Sequence, residues 1–424
     1  MHQPSFFEEQ TEKPGERNIV MVQRITEEIY QYIIQEREMS IYFQPVINMS
    51  WEREAGYEAL LRASYKGKPV STEKLFGYAR RHEKEKELDD ICREKAFEEF
   101  CKIQKHGMLF VNFETSLLGN YLQEMDDIAG KIDEMGIRRE KIVIEINEKY
   151  AEDNDVLIQF ATECRNKGFL IALDDVGEGY SNLNRIVLVK PDIVKVDRSV
   201  VAGIQNDFYK KEVFRAIAGL AERIGAVVIA EGVEEIQEVF CCLKHGTRLF
   251  QGYYFSKAEQ PETVNELAFY NICKNAFDFF ETNNALEMEK KTAWGHARKE
   301  IVRQLAVLLA GVECQEYETV VTDFLSRHAE IECIYLIDAM GKQVSDTYFS
   351  SGTKIKSPYL FSAAEKEDTH IGKPYYYLAF QNREQVYMSE SYISAATGYF
   401  CQTYAMVFVS KEQKELAICI DYPQ

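Results

Sequence analysis

Eight short apolar runs, separated by charge-rich stretches compatible with helices, constrain the fold of this chain more than any other feature. In chain order they are 41-IYFQPV, 57-YEALLR, 109-LFVNFE, 142-IVIEIN, 169-FLIALDD, 192-DIVKVD, 227-VVIAEGV and 249-LFQGYYF. Several are apolar at almost every position, as in strands covered on both faces. Strands that alternate with helices form mostly parallel sheets with right-handed crossovers. Eight such units predict an α/β fold, a TIM-like (β/α)8 barrel.

The chain changes character beyond the eighth run. Residues 263–310 have a helical pattern, although the polar stretch 281–300 is either a loop or the exposed part of a long connector. A helix-like segment then leads into β-rich sequence at 331-IECIYLID, 374-PYYYLAF, 399-YFCQTYAMVFV and 415-ELAICIDY. We therefore expect an N-terminal segment (1–24), a barrel (25–262), a helical linker (263–310) and an α+β domain (311–424).

The charge balance limits the possible partners. With 50 basic and 69 acidic side chains the formal net charge is −19, which repels a nucleic-acid backbone, so duplex nucleic acid is not an expected partner. A small anionic ligand remains compatible where metal cations or local basic residues mediate. The ten cysteines have no CxxC or zinc-site spacing, which favours reduced thiols in a cytoplasmic protein. The N-terminus has no signal-peptide pattern, and no long apolar window is present. We therefore expect no membrane contact.

Polar side chains lie within or at the ends of the apolar runs. They are Glu58, Asn112, Glu145, Asp174, Asp175, Asp197 and Glu231. In a TIM-like barrel, residues at the carboxyl ends of different strands converge on one mouth. Any one of these residues, taken alone, is better explained as a solvated strand end or a helix cap. Six acids and an asparagine on successive strands favour a shared site.

The chemistry of these side chains indicates a metal. Carboxylate and amide oxygens without a majority of His or Cys favour Mg²⁺ or Mn²⁺ over zinc or copper. Adjacent strand residues point apart, so Asp174 and Asp175 can serve different cations. Two cations bridged by a carboxylate are an arrangement that catalyses phosphodiester hydrolysis. Lys195 on the next strand is suited to orienting water or stabilising transition-state charge, and Arg62 to bidentate contact with phosphate.

The order of several motifs matches one protein family. The motifs are YFQP at 42–45, EALLR at 58–62, VNFE, EINE, DDVGEGYSNL, VKVDRS, AEGVE and QGYYFSK. Over residues 25–260 the chain resembles the EAL domain of cyclic diguanylate phosphodiesterases. The resemblance implies a TIM-like barrel whose first strand runs antiparallel to the rest, and a homodimer. It also implies metal-dependent hydrolysis of cyclic di-GMP to the linear dinucleotide pGpG.

The resemblance also implies roles for individual residues. Its metal ligands fall on Glu58, Asn112, Glu145, Asp174, Asp175 and Glu231. Lys195 matches the lysine that acts with the metals on the nucleophilic water, and Gln251 the glutamine that orders the same water; with Glu58 and Glu231 they form the expected catalytic set. Gln44 and Arg62 match positions that hold the substrate. Glu148 matches an acid that braces the loop after the fifth strand, a loop at the family's dimer contact.

The chain departs from the usual family pattern in that same loop. Val176 stands where an aromatic residue is usual, and Glu178 replaces a small hydroxyl residue and adds charge to an acidic mouth. Asn147 replaces a threonine and Ala258 a proline. Because no ligand is lost, these changes bear on turnover more than on binding. Two functions stay open: a phosphodiesterase regulated by the C-terminal domain, and a weak or inactive receptor for cyclic di-GMP. A barrel enzyme for another phosphate ester would use the same metals.

The region 374–400 resembles PAS and Cache sensory domains. The likeness rests on tyrosines flanking a strand, followed by Ser-Tyr-Ile-Ser and Thr-Gly. It implies a regulatory module that binds a small ligand of unknown identity. The same residues also suit an aromatic core with a dimer surface and no ligand.

Overall fold

The computed structural model describes residues 24–103, 107–147, 153–179, 184–260, 266–357 and 359–423. The chain forms two compact units, Met1–Thr282 and Asn283–Gln424. In these described ranges, no helix combines the length and the apolar character needed to cross a membrane.

The described part of the first unit contains nine strands. They are β1 (Met39–Asn48), β2 (Arg53–Tyr65), β3 (Lys68–Val70), β4 (Met108–Phe113), β5 (Ile142–Asn147), β6 (Leu170–Val176), β7 (Ile193–Val196), β8 (Val227–Ala230) and β9 (Leu249–Phe250). All eight strands predicted from the apolar runs are present. The ninth, β3, pairs antiparallel with the end of β2 after a turn at Lys66 and Gly67.

Strand pairing closes the sheet into a barrel. β2 and β4 to β9 are parallel neighbours in chain order, whereas β1 pairs antiparallel with both β2 and β9. The predicted TIM-like barrel is therefore confirmed, including the reversed first strand. Because β1 is reversed, it meets β2 by a short connection instead of a helical crossover.

Helices cover the outside of the barrel. They are α1 (Glu27–Gln35), α2 (Thr72–Arg81), α3 (Glu85–Ile103), α4 (Leu118–Glu134), α5 (Asn154–Asn166), α6 (Asn184–Val189), α7 (Arg198–Val201), α8 (Phe208–Ile224) and α9 (Ile236–Lys244). Polar caps fix several of their starts: Asp153, Asp197 and Asp207 accept hydrogen bonds from the first free backbone N–H groups of α5, α7 and α8.

The barrel has two apolar layers. The larger lies between the strands and helices and includes Phe160, Phe214 and Phe250. The smaller fills the interior, and each barrel strand contributes one residue to it: Val46, Ala55, Phe110, Val143, Ala172, Ile193, Ile229 and Leu249. This inner plug closes the barrel below the polar mouth.

One long helix, α10 (Glu266–Ala310), follows the barrel. The polar stretch 281–300 lies within this helix, which settles the open choice in favour of a connector rather than a loop. Its charged residues keep that stretch in solvent without breaking the helical backbone.

The second unit is an antiparallel sheet with helices. Its described elements are α11 (Tyr317–Arg327), β10 (Cys333–Asp338), β11 (Tyr348–Phe349), α12 (Pro374–Gln381), β12 (Tyr387–Met388), β13 (Tyr392–Ile393), β14 (Phe400–Val409) and β15 (Glu415–Pro423). The sheet order is β11-β10-β15-β14-β12, and β13 also pairs with β14. The α+β class is confirmed. The predicted strand at 374–380 is wrong: these residues form α12, with Pro374 in its first turn.

Candidate active site

Strand periodicity places the polar side chains one layer above the apolar plug. Alternate strand residues face the same side, so the residue two positions beyond each plug residue faces the mouth. On β4 to β7 these residues are Asn112, Glu145, Asp174 and Lys195, and directly after β8 and β9 they are Glu231 and Gln251. On the reversed β1 the equivalent is Gln44, two positions before Val46, and it pairs directly with Glu58 on β2.

Lys195 lies at the centre of this layer and is only 1% exposed. Its Nζ is 2.5 Å from Glu145 Oε1, 2.7 Å from Glu231 Oε1, 3.1 Å from Asp174 Oδ1 and 3.3 Å from Glu58 Oε2. Four strands thus each present a carboxylate to one ammonium group.

Two amide side chains, Asn112 and Gln251, donate hydrogen bonds to the carboxylates. Asn112 Nδ2 donates to Glu145 Oε2 at 2.9 Å and to Glu58 Oε1 at 3.3 Å. Gln251 Nε2 donates to Glu58 Oε2 at 2.6 Å and to Gln44 Oε1 at 3.2 Å. The buried Oε1 of Gln251 has no hydrogen-bond partner among the described residues, so it remains available to a donor in the mouth.

Burial and crowding set the ionisation of the cluster. Burial would lower the pKa of the Lys195 ammonium, but the surrounding carboxylates outweigh it and raise that pKa well above its usual value. Burial, reinforced by neighbouring carboxylates, raises the pKa of Glu145 and of Glu231 well above the usual range. For Glu58, burial is outweighed by Lys195, Gln251 and Asn112, which lower its pKa. One ammonium is shared by four acids, so a further cation at the mouth would relieve the repulsion that helps to raise these pKa values.

The donor set fits hard divalent cations. One oxygen each from Asp174, Asp175 and Glu231 lie within 4.8 Å of one another, and so do oxygens of Asp175, Glu178 and Asp197. Asp175 belongs to both groups. Buried Glu145 Oε1 and Asp174 Oδ1 both contact the Lys195 ammonium. Every donor is an oxygen, which is the chemistry of Mg²⁺, Mn²⁺ or Ca²⁺ sites.

The loop after β6 begins with unusual backbone geometry. Asp175 has a left-handed φ of 57°, and the pairing of β6 with β7 is irregular between Leu173 and Val176. This backbone conformation directs the Asp175 carboxylate towards Asn147, and Asn147 Nδ2 donates a hydrogen bond to Asp175 Oδ2. Burial and the adjacent Asp174 raise the pKa of Asp175 to about 6. Gly177 is required here: at its φ of 102° a Cβ atom would lie 2.5 Å from Val200 Cγ2.

A cavity of about 320 Å³ opens at this mouth, and it contains most of the predicted residues. Gln44, Glu58, Asp174, Asp175, Lys195, Glu231 and Gln251 line it. Arg62 is exposed and lies on the same strand face as Glu58, about 13 Å further along β2 at ~3.3 Å per residue. It lines a neighbouring groove with Tyr42 instead. Glu148 lies outside the described residues.

Sequence reasoning did not single out three further residues of the mouth as site residues. Asn147 was noted as a departure from the family pattern, yet it is the amide that contacts Asp175. Arg198 lines the cavity and pairs with Glu234 at 2.8 Å. Tyr253 lines it too. The signal for Arg198 and Tyr253 was their position directly after the VKVD and QG motifs, at strand ends that face the mouth.

A barrel that gathers carboxylate oxygens and one lysine at the carboxyl ends of its strands has the arrangement seen in α/β-barrel enzymes, whose active sites lie at that end. The EAL domain family model matches residues 26–258, more than half of the 424-residue chain. The chain therefore belongs to the EAL domain family.

Known relatives extend the comparison. YkuI, an uncharacterized EAL-domain protein of Bacillus subtilis, is 25% identical over 394 residues, which cover 90% of this chain and 94% of YkuI. The crystal structure of YkuI, in complex with substrate c-di-GMP and calcium, matches with a TM-score of 0.79 at 22% identity, covering 93% of this chain and 99% of that chain. At that identity the match shows a shared fold. The cyclic di-GMP phosphodiesterase NbdA of Pseudomonas aeruginosa is 25% identical over 237 residues, which cover 54% of this chain and 30% of NbdA.

Proposed function

We propose that this chain is a metal-dependent phosphodiesterase that hydrolyses cyclic di-GMP to linear pGpG and is regulated by its C-terminal domain. The observation that carries the proposal is the enclosure of Lys195 by four carboxylates at the barrel mouth. Two relatives support the choice of substrate: NbdA carries this activity in its name, and the YkuI structure contains c-di-GMP.

The proposed metal ligands are those of the family pattern. Glu58, Asn112, Glu145, Asp174, Asp175 and Glu231 would hold two cations, Mg²⁺ or Mn²⁺, with Asp175 placed to be shared. Bound there, such ions lower the pKa of an attacking water and neutralise phosphoryl oxygens. Glu178 and Asp197 are additional candidates on the Asp175 side of the mouth.

Lys195 and Gln251 are the proposed residues that act on the water. The Lys195 ammonium is fixed by its four contacts and adds positive charge where a phosphorane-like transition state gains negative charge. The free Oε1 of Gln251 is suited to accept a hydrogen bond from the water before attack. In hydrolysis the oxygen of this water bonds to one phosphorus, and the bond between that phosphorus and a ribose oxygen breaks. The ribose oxygen leaves as a hydroxyl after it takes up a proton.

Gln44 and Arg62 are the proposed substrate contacts. Gln44 lines the cavity beside Gln251, and its Nε2 donates to the Ser256 carbonyl oxygen at 3.3 Å. Arg62 lies outside the cavity on the exposed continuation of β2. A cyclic dinucleotide is larger than a single phosphodiester, so we propose that its distal part extends from the cavity towards Arg62. A guanidinium there would contact the second phosphate.

The direct test is hydrolysis by the purified full-length chain. Cyclic di-GMP is incubated with Mg²⁺ or Mn²⁺, and pGpG is quantified by chromatography. We expect metal-dependent product from the wild type and from Glu222→Ala, which removes an exposed acid of α8. Glu58→Ala should give no product, because it removes a ligand and the partner of Lys195 and Gln251. Absence of pGpG from the wild type at every metal concentration would refute the proposal.

A receptor that binds cyclic di-GMP without appreciable turnover is the second candidate. Glu178 favours it: in place of a small hydroxyl residue, it brings a third carboxylate to Asp175 and Asp197. An additional negative charge alters how a cation is shared around Asp175. This candidate predicts saturable binding with negligible pGpG in the assay described above.

Three organisational features belong to the same proposal. They are the division into residues 1–24, 25–262, 263–310 and 311–424, a homodimer, and a PAS-like regulatory role for the last segment. Regulation is tested with Tyr392→Leu, which removes a ring that lines a cavity of about 360 Å³ in the second unit. A hydrolysis rate equal to that of the wild type would contradict regulation.

A further inference from the structure

The second unit encloses a cavity with the dimensions of a small-molecule site. Its volume is about 360 Å³, within the range in which proteins bind small ligands. The lining includes Tyr335, Gln343, His370, Tyr375, Tyr392 and Asp421. All of these residues belong to the second unit.

Three charged residues line the cavity: Asp368 and Lys373 are exposed, whereas Asp421, on β15, is buried at 3% exposure. Thr403 Oγ1 donates to its Oδ1 at 2.7 Å, and the Cys333 thiol donates to its Oδ2 at 3.6 Å. A carboxylate has about four acceptor positions, so these two donors leave others open. Among the described residues, no Lys, Arg or His nitrogen lies within 4.0 Å of Asp421.

A second buried acid lies close to Asp421. Glu332 is 6% exposed and accepts a hydrogen bond from Thr397 Oγ1 at 2.8 Å. Burial raises the pKa of Asp421 to about 7, with a further contribution from Glu332. A buried carboxylate without a cationic partner is costly, and the cost is relieved by any cation that enters.

The basic residues at the cavity do not supply that cation. Both ring nitrogens of His370 are engaged, Nδ1 with Tyr375 Oη at 2.9 Å and Nε2 with Gln343 Oε1 at 3.0 Å. Burial, with a contribution from Lys373, lowers the pKa of His370, so its ring is neutral at neutral pH. Lys373 is solvent-exposed and is not within ion-pair distance of Asp421.

Aromatic rings surround the space in front of the acid. The rings of Tyr335 and Tyr375 meet edge to face at 6.1 Å, and those of Tyr375 and Tyr392 are near-parallel at 6.2 Å. Tyrosine faces attract alkylated ammonium groups through the ring quadrupole. The hydroxyl of Ser394, 1% exposed and also lining the cavity, has no nitrogen or oxygen partner among the described residues.

We propose that this cavity binds a small organic ammonium ion, with Asp421 as counter-ion, the tyrosine rings around the alkyl groups, and Ser394 as a hydrogen-bond partner. A hydroxyl-bearing alkylammonium such as choline matches this combination. A metal ion held by Glu332, Cys333 and Asp421 explains the cavity less well, because Glu332 and Cys333 do not line it. Binding here does not depend on whether the barrel hydrolyses cyclic di-GMP.

The test uses calorimetric titration of the full chain with choline and with 3,3-dimethylbutan-1-ol, its uncharged isostere. We expect saturable choline binding and at least about tenfold weaker binding of the isostere, because the charge is what the acid and the rings recognise. Asp421→Asn should weaken choline binding by at least about tenfold. Glu384→Gln removes an exposed acid of the same unit and should bind as the wild type does.

A second pair of variants separates ligand recognition from folding. Tyr392→Phe keeps the ring and should retain choline binding, whereas Tyr392→Leu removes the ring and should lose it. Three outcomes would overturn the proposal: no choline binding at millimolar concentration, equal affinity for choline and its isostere, or unchanged affinity in Asp421→Asn. Binding of Mg²⁺ or Zn²⁺ alone, lost in Asp421→Asn and without choline binding, would instead assign a metal site.

Discussion

Lys195 and Glu58 lie 3.3 Å apart, Nζ to Oε2, although 137 residues separate them in the chain. β7 supplies the lysine and β2 the glutamate, and the barrel brings them together through its closure rather than through local sequence. The same lysine contacts Glu145, Asp174 and Glu231. It is therefore the built-in counter-ion of the mouth.

Replacement of Lys195 by methionine should destabilise the barrel when divalent cations are absent. The change leaves buried acids without their cation, and breaking a buried ion pair costs about 3–5 kcal/mol. Urea unfolding in the presence of a chelator measures the loss, and added Mg²⁺ should recover part of it. Lys68→Met, at an exposed position of β3, is the control and should unfold like the wild type. Equal unfolding midpoints for Lys195→Met and Lys68→Met would contradict the role of Lys195.

Arg62→Ala should weaken the binding of cyclic di-GMP while leaving metal binding intact. The guanidinium lies outside the acidic cavity and is suited to a phosphate, not to a cation site. Calorimetric titrations with calcium alone, and then with cyclic di-GMP in calcium, separate the two effects. We expect a loss of about tenfold or more for the dinucleotide, and a similar loss for Arg62→Lys if contact is bidentate. A loss of calcium affinity would place Arg62 in the metal site instead.

Glu178→Thr should increase turnover if the loop after β6 limits it. The change removes one carboxylate from the group formed by Asp175, Glu178 and Asp197, and it replaces no predicted ligand of the family pattern. Single-turnover hydrolysis of cyclic di-GMP measures the effect. Combining it with Val176→Phe is less informative, because Val176 is 1% exposed and a phenyl ring there costs ~1–3 kcal/mol in overpacking. An unchanged hydrolysis rate in folded Glu178→Thr would show that Glu178 does not limit turnover.

Asp421→Asn should remove a pH dependence of stability. The pKa of Asp421 is about 7 when folded, against about 3.9 in an unfolded chain. The folded state therefore binds the proton more tightly, and stability is lost as pH rises from about 4 through 7. Between pH 5 and pH 8 the loss is on the order of 3 kcal/mol. At pH 8 the free energy of unfolding of Asp421→Asn, measured with urea, should exceed that of the wild type by this amount relative to pH 5. The control Glu384→Gln should show no such difference.

The barrel was predictable because its information is local and repeated. Each strand is an apolar run, and the side-chain period of two then places Glu145, Asp174 and Lys195 in one layer. The family pattern supplied Gln251 and Gln44, whose contact with each other across β1 and β9 needs the closed barrel. Composition and spacing alone gave no reason to pair two glutamines 207 residues apart.

The second unit was less predictable because local preference and packing disagree there. Residues 375–377 are three tyrosines, which favour strands, yet Pro374 fixes a helical start and α12 packs its Tyr375 and Ala379 against the sheet. The strand β3 is three residues long, too short for a periodic signal. Asp421 was concealed for a different reason: a lone acid in the apolar run ELAICIDY gives no sign of which partners the sheet will bring to it.

The left-handed backbone at Asp175 sets a limit on how this protein can diverge. At a φ of 57° most side chains strain the main chain, whereas Asn and Gly are tolerated. A homologue that loses the Asp175 carboxylate but keeps the loop conformation is therefore expected to have Asn or Gly at this position. Among homologous sequences, those two residues beside an intact Asp174 equivalent would identify copies that retain the barrel but have lost one of the proposed metal ligands.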